Sequence, residues 1–133
     1  MAYLEWQPNL SVGVTELDEH HKQLVALINQ VYDSLAAVDQ QERLARVLND
    51  LVAYTRFHFD REEHYLRVNG YPDYNSHRAA HAALVQQVME LQDRINRDPA
   101  SVKAMDTMDF LSRWLIQHIV GQDLKYKSYL AKE

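Results

Sequence analysis

The chain is 133 residues long, 47% apolar and 25% charged, which suits one domain around a single core. A formal net charge of −5 offers no long-range attraction for nucleic acid or anionic lipid, and the lack of cysteine excludes disulfides and thiolate-held clusters. No stretch approaches a membrane span, and the opening MAYLEWQPNL lacks a basic end followed by an apolar run, so a cytoplasmic protein without membrane insertion is expected.

Residues 1–16 read as an N-terminal arm. Its apolar members Trp6, Pro8, Val12 and Val14 predict packing over the rest of the chain as a lid or edge. Thr15 is placed to cap a helix carrying Leu17, His21, Leu24, Ile28, Val31 and Leu35 on one face. Val38-Asp39-Gln40-Gln41 reads as a short connection. A second helix has Leu44, Leu48, Leu51, Thr55, His58, Glu62 and Tyr65 on one stripe, and Gly70-Tyr71-Pro72 stops it. A third runs from near Asp73 through His77, His81, Leu84, Val88 and Leu91 to Ile95, where Asp98-Pro99 breaks it. Ser101 is placed to cap a fourth, with Leu111, Trp114, Leu115 and His118 inward. From Leu124 to Leu130, with Tyr126 and Tyr129, a short closing helix is expected. Short connections favour an all-α, up-down-up-down antiparallel four-helix bundle over residues 17–123, with a tail over 124–133, all in one domain.

Imidazoles and carboxylates on an apolar helix face are costly unless something pairs with them. Five histidines (His21, His58, His77, His81 and His118) and two carboxylates (Glu62 and Asp123) suggest a shared metal centre inside the bundle. His77 and His81 are four residues apart, as are His58 and Glu62, so each pair leaves one helix face about one turn apart. Imidazole with carboxylate and no thiolate suits iron, manganese or zinc. Seven donors exceed what one tetrahedral zinc takes and point to two ions. With both carboxylates and an oxo or hydroxo group bridging, two octahedral ions would have every position but one filled. Asp123 fits least: five residues beyond His118 is about 140° around a regular helix, pointing away from the site. Gly121 lies between them and would allow a local distortion. His20 and His64 read as solvated or outer-sphere histidines, and Glu19 and Glu63 as surface charges.

Several stretches resemble the hemerythrin family, in particular its single-domain bacterial members. They are Trp6 with Ser11-Val12-Gly13-Val14, Asp18-Glu19-His20-His21-Lys22, His58-Phe59-Asp60-Arg61-Glu62-Glu63, His77-Arg78-Ala79-Ala80-His81, and His118-Ile119-Val120-Gly121-Gln122-Asp123. The resemblance implies a non-haem di-iron centre, with two iron ions per chain joined by an oxo or hydroxo bridge. It places His77, His81 and His118 on one iron and His21 and His58 on the other, which keeps an open position. Glu62 and Asp123 would bridge the pair, and the membership of Asp123 rests on this resemblance. It also implies that dioxygen binds end-on at the open iron and takes two electrons from the pair. Leu24, Phe59, Trp114, Leu115 and Ile119 fall within one turn of these ligands, and the resemblance implies that they line the oxygen pocket. His20 stands where family members often have glutamine; the helix stripe selects His21 as the ligand.

The function expected is reversible dioxygen binding, without catalysis, for storage, transport or delivery to an unidentified protein recipient. The alternatives are an oxygen or redox sensor acting through a partner, and a di-iron oxidase or ferroxidase. The ferritin-like members of the last class use two Glu-x-x-His pairs, and none falls on the ligand faces here.

Overall fold

The computed structural model describes residues 4–34, 40–98 and 104–130. Four long helices, α1 (Thr15–Ser34), α2 (Gln40–Val68), α3 (Tyr74–Arg97) and α4 (Ala104–Gly121), form the antiparallel up-down-up-down bundle. A short 3-10 turn (Pro8–Leu10) precedes them, and a second (Asp123–Tyr126) with the single-turn helix α5 (Lys127–Leu130) follows. No strand occurs among the described residues. Helix α1 packs against α2 and α4, and α2 also packs against α3. Trp114 ties α4 to α3 by donating its indole N–H to the Leu84 carbonyl at 3.0 Å.

The predicted periodicities match the buried faces. Leu17, Leu24, Ile28 and Val31 are buried on α1, Leu44, Leu48 and Leu51 on α2, Val88, Leu91 and Ile95 on α3, and Leu111, Trp114 and Leu115 on α4. Fully burying one such side chain stabilises the fold by about 1.5–3 kcal/mol. Two details of the α2 stripe differ from expectation. Tyr65 is only half-buried, and the neighbouring Leu66 takes the fully buried place. Gln40 and Gln41, expected in a connection, already belong to α2, since both are tolerated in a helix and neither interrupts the stripe. Leu35, Val38 and Asp39 lie outside the described residues, as do Pro99 and Ser101.

Helix α2 ends as Gly70 predicts. Gly70 adopts φ +66°, its N–H bonds to the Arg67 carbonyl at 3.2 Å, and the Tyr71 N–H bonds to the Leu66 carbonyl at 3.0 Å. These two bonds define a Schellman end, which favours glycine at the left-handed position. Leu66 and Tyr71 meet in a second, smaller core with Val12, Leu17, Tyr126 and Leu130.

That second core holds part of the arm and the closing segment against the bundle. The arm packs as expected: Val12 is fully buried, and Trp6 leans on the main core 6.4 Å from the His21 ring. Asn29 clamps it by accepting from the Leu4 N–H and donating to the Leu4 carbonyl, both at 2.8 Å. Asp18 accepts from the Val12 N–H at 2.8 Å and the Ser11 hydroxyl at 2.5 Å, which sets the entry into α1.

Candidate metal centre

Seven of the site residues proposed from sequence converge inside the bundle. His21, His58, Glu62, His77, His81, His118 and Asp123 are all buried, with Glu62, His58 and Asp123 fully enclosed. Each helix delivers its donors at an inward register position: His21 from α1, His58 and Glu62 from α2, His77 and His81 from α3, and His118 from α4. Their donor atoms fall into two groups within which all lie within 4.8 Å of one another. One comprises His77, His81, His118, Glu62 and Asp123; the other comprises His21, His58, Glu62 and Asp123.

Both carboxylates belong to both groups, and each turns one oxygen toward either side. Glu62 Oε1 lies 2.6 Å from His77 Nε2 and 2.9 Å from His81 Nε2. Its Oε2 lies 3.3 Å from His58 Nε2 and 3.7 Å from His21 Nε2. Asp123 Oδ1 lies 3.0 Å from His118 Nε2 and 3.1 Å from His77 Nε2, and its Oδ2 lies 3.1 Å from His21 Nε2.

The path by which Asp123 reaches the site differs from the one expected. Gly121 is the last residue of α4, and it does not take a positive φ. The chain turns at Gln122 (φ −120°, ψ −53°) into the 3-10 turn that begins with Asp123. The helix has therefore ended before Asp123, so the 140° argument does not apply to it. Asp123 belongs to the closing segment rather than to the bundle helices.

Water-excluded charges of this kind cost several kcal/mol each unless they are paired. Burial and the neighbouring Glu62 act to raise the Asp123 carboxyl, but His118 and His21 outweigh them and hold it low. Burial likewise acts to raise Glu62, and His21, His58, His77 and His81 outweigh it. Burial pulls His21 and His77 down, yet the Asp123 and Glu62 carboxylates push both up to about 9. His58 moves the other way: burial dominates and keeps it neutral.

Hydrogen bonding leaves several of these atoms unsatisfied. His21 Nε2, His58 Nε2 and both oxygens of Asp123 are buried with no hydrogen-bond partner, although oppositely polar atoms stand close by. Atoms near one another but not aimed along hydrogen bonds are what a shared cation accounts for. The donor set of imidazole and carboxylate fits iron.

Three residues read from sequence as surface or uninvolved groups, or placed only in the closing tail, support the donors. Glu63, expected on the surface, is partly buried and accepts from His81 Nδ1 at 2.8 Å. His20, read as solvated or outer-sphere, is buried with its Nδ1 2.9 Å from His58 Nδ1, in keeping with the second of these. Tyr126, fully buried, donates its hydroxyl to Glu62 Oε2 at 2.9 Å. Only the pairing of inward polar residues with unlike neighbours on other helices could have signalled these contacts. Glu19 is exposed beside Lys22, and His64 is exposed beside Arg67, as expected.

The residues expected to line an oxygen pocket are buried. Leu24, Trp114, Leu115 and Ile119 share the main core. Phe59 lies flat on His81, with centroids 3.7 Å apart and planes 1° from parallel, and its ring is 5.7 Å from both His58 and His118. Its closest ring contact is therefore in the three-imidazole group.

Comparison with known proteins agrees with this geometry. Residues 12–130 match the family model described as the hemerythrin HHE cation binding domain. The chain belongs to the hemerythrin family. It is 31% identical over 126 residues to a bacteriohemerythrin of Stenotrophomonas maltophilia, covering 95% of this chain and 80% of that protein. It is 32% identical over 125 residues to a hemerythrin-like protein of Naegleria gruberi, covering 94% of this chain and 92% of the other. A crystal structure of wild-type hemerythrin superposes with a TM-score of 0.88 at 29% identity, covering 98% of this chain and 99% of that one. The hemerythrin fold thus accounts for the bundle, and its cation-binding character for the buried donor cluster.

Proposed function

We propose that this chain binds dioxygen reversibly at a di-iron centre, for storage, transport or delivery of oxygen, and does not turn it over. The observation that carries the reading is the division of the donors into two groups that share Glu62 and Asp123, each carboxylate turning one oxygen to each side. His77, His81 and His118 would hold one iron, His21 and His58 the other, and the two carboxylates would bridge them. A di-iron(II) pair held there would supply the two electrons that dioxygen takes up, and the two-imidazole group, with one donor fewer, would leave room for it.

The chain's own residues favour binding over turnover. Five imidazoles and only two inner carboxylates make a neutral-rich donor set, unlike the carboxylate-rich sites of ferritin-like oxidases. Leu24, Leu115 and Ile119 keep the surroundings apolar, which excludes water and competing anions. Trp114 commits its indole N–H to the Leu84 carbonyl, so it presents no free donor to the core.

The test is iron analysis of protein loaded with ferrous ion, combined with visible spectra under oxygen and then argon. Two irons per chain and a spectrum that reverses on deoxygenation are expected. One metal per chain, or steady oxygen consumption in the presence of a reductant, overturns the reading.

A further inference from the structure

His20 is a buried histidine that does not belong to either donor group. It sits beside His21 on α1, with 7% of its surface exposed, and its ring faces α2 rather than the donor groups. Its Nδ1 is 2.9 Å from His58 Nδ1, and the two rings stand edge to face at 89° with centroids 5.1 Å apart. Tyr54 and Phe57 flank it at 5.8 and 5.2 Å and hold the ring in place. On its far side, His20 Nε2 is 3.6 Å from Glu16 Oε2. Glu16 is itself fixed by Arg61, at 2.8 and 3.1 Å, and by the Tyr65 hydroxyl at 2.7 Å.

Two nitrogens 2.9 Å apart share one proton, and the neighbours decide which carries it. A carboxylate can only accept, so Glu16 favours the N–H of His20 on Nε2 and leaves His20 Nδ1 as an acceptor. The shared proton then resides on His58 Nδ1, and the lone pair of His58 Nε2 faces the donor group. His58 Nε2 faces Glu62 Oε2 at 3.3 Å without a hydrogen bond, so the 2.9 Å contact with His20 is the hydrogen bond that orients the ring.

We propose that His20 is a positioning residue for His58: by accepting its Nδ1–H, and with Glu16 behind it, His20 fixes the tautomer that offers Nε2 to the two-imidazole half of the site. His58 donates to His20, and the Glu16 carboxylate 3.6 Å behind His20 acts on it electrostatically rather than through a hydrogen bond, which raises the basicity of a ligand it never touches. On the other half of the site, Glu63 imposes the same choice on His81 directly, at 2.8 Å.

The inference rests on the reading of His58 as a ligand, but its first test needs no metal. Long-range ¹H–¹⁵N spectra of the metal-free protein should show His58 protonated at Nδ1. In His20→Leu, which cannot accept, the proton should move to Nε2, and anaerobic titration should show ferrous ion binding at the weaker of two sites reduced about tenfold or more. His20→Gln, whose amide oxygen accepts, should restore both readouts. A packing role alone would make leucine as good as glutamine. Protonation of His58 at Nε2 in the parent protein overturns the proposal, with no need for any variant to fold. Equal tautomer and affinity in the parent and the leucine variant overturn it as well. A parent protein with the Nδ1 proton on His58 but no second ferrous ion bears out the relay and overturns the di-iron reading instead.

Discussion

Tyr126 reaches back from the closing turn to donate its hydroxyl to Glu62 at 2.9 Å, and so joins the closing segment to the last third of α2. Burial, with the Glu62 and Asp123 carboxylates beside it, pushes the phenol well above its ordinary range, so it remains a donor at any physiological pH. Tyr126→Phe keeps the ring in the second core and removes only this bond. A hydrogen bond to a charged group contributes about 1.5–3 kcal/mol, and the metal-free variant should lose that much in urea unfolding. Its metal content should be unchanged, since the phenol is not among the clustered donors. An unfolding midpoint equal to the parent's would show that the bond contributes nothing.

The metal-free protein should have a stability maximum in mildly acid solution. His21 and His77 are pulled down by burial but pushed up to about 9 by Asp123 and Glu62. A folded pKa above the unfolded value of about 6.5 adds stability below that value, and this stability is lost as pH rises through 9. Glu62 and Asp123, held low by the imidazoles against burial, add stability above their unfolded values of about 4.5 and 3.8, lost as pH falls through their folded ones. The melting temperature of metal-free protein should therefore fall between pH 6.5 and 9. Ferrous ion must displace the protons on His21 and His77, so binding should release protons near neutrality and fail on acidification. Calorimetry in buffers of different ionisation enthalpy measures the release. A binding heat independent of buffer contradicts it.

Leu115 separates a lining role from simple core packing. It is buried three residues before His118 on α4. Leu115→Ala removes no donor, so iron content should hold, while the cavity should cost about 2–5 kcal/mol of stability. If the residue shields the open position, the variant's oxygenated form should decay to di-iron(III) faster than the parent's at matched iron occupancy. Equal decay rates would leave Leu115 as bundle core and nothing more.

Gly121 should be replaceable. A Cβ built there meets nothing within 4 Å, and the residue does not need a positive φ. Gly121→Ala should stabilise the protein by about 0.4–1 kcal/mol through the unfolded chain, with full metal content. Loss of metal in that variant would restore the glycine to the role that spacing suggested for it.

What was legible in the sequence follows from what local pattern can carry. The faces of the four helices, the Gly70 stop and six of the inward donors are periodic or local signals, and each appears where it was read. Asp123 defeated the periodicity because the helix ends two residues before it, and spacing on a helix says nothing once the helix is over. Glu63 and His20 defeated it for another reason. Each lies beside one of the clustered donors in sequence and looks solvated from its own helix, but a neighbouring helix covers it and supplies its partner, His81 for Glu63 and His58 for His20. Such contacts are tertiary, and one helix's pattern does not contain them.

The two shared carboxylates come from distant parts of the chain, Glu62 from α2 and Asp123 from the turn beyond α4. During synthesis, the His58 and Glu62 pair and the His77 and His81 pair emerge well before Asp123 does. Glu62 and Asp123 meet only when the segment through Tyr126 has folded back, so the cluster is completed by the turn beyond α4, and a cation held by all seven residues would enter only after that turn docks.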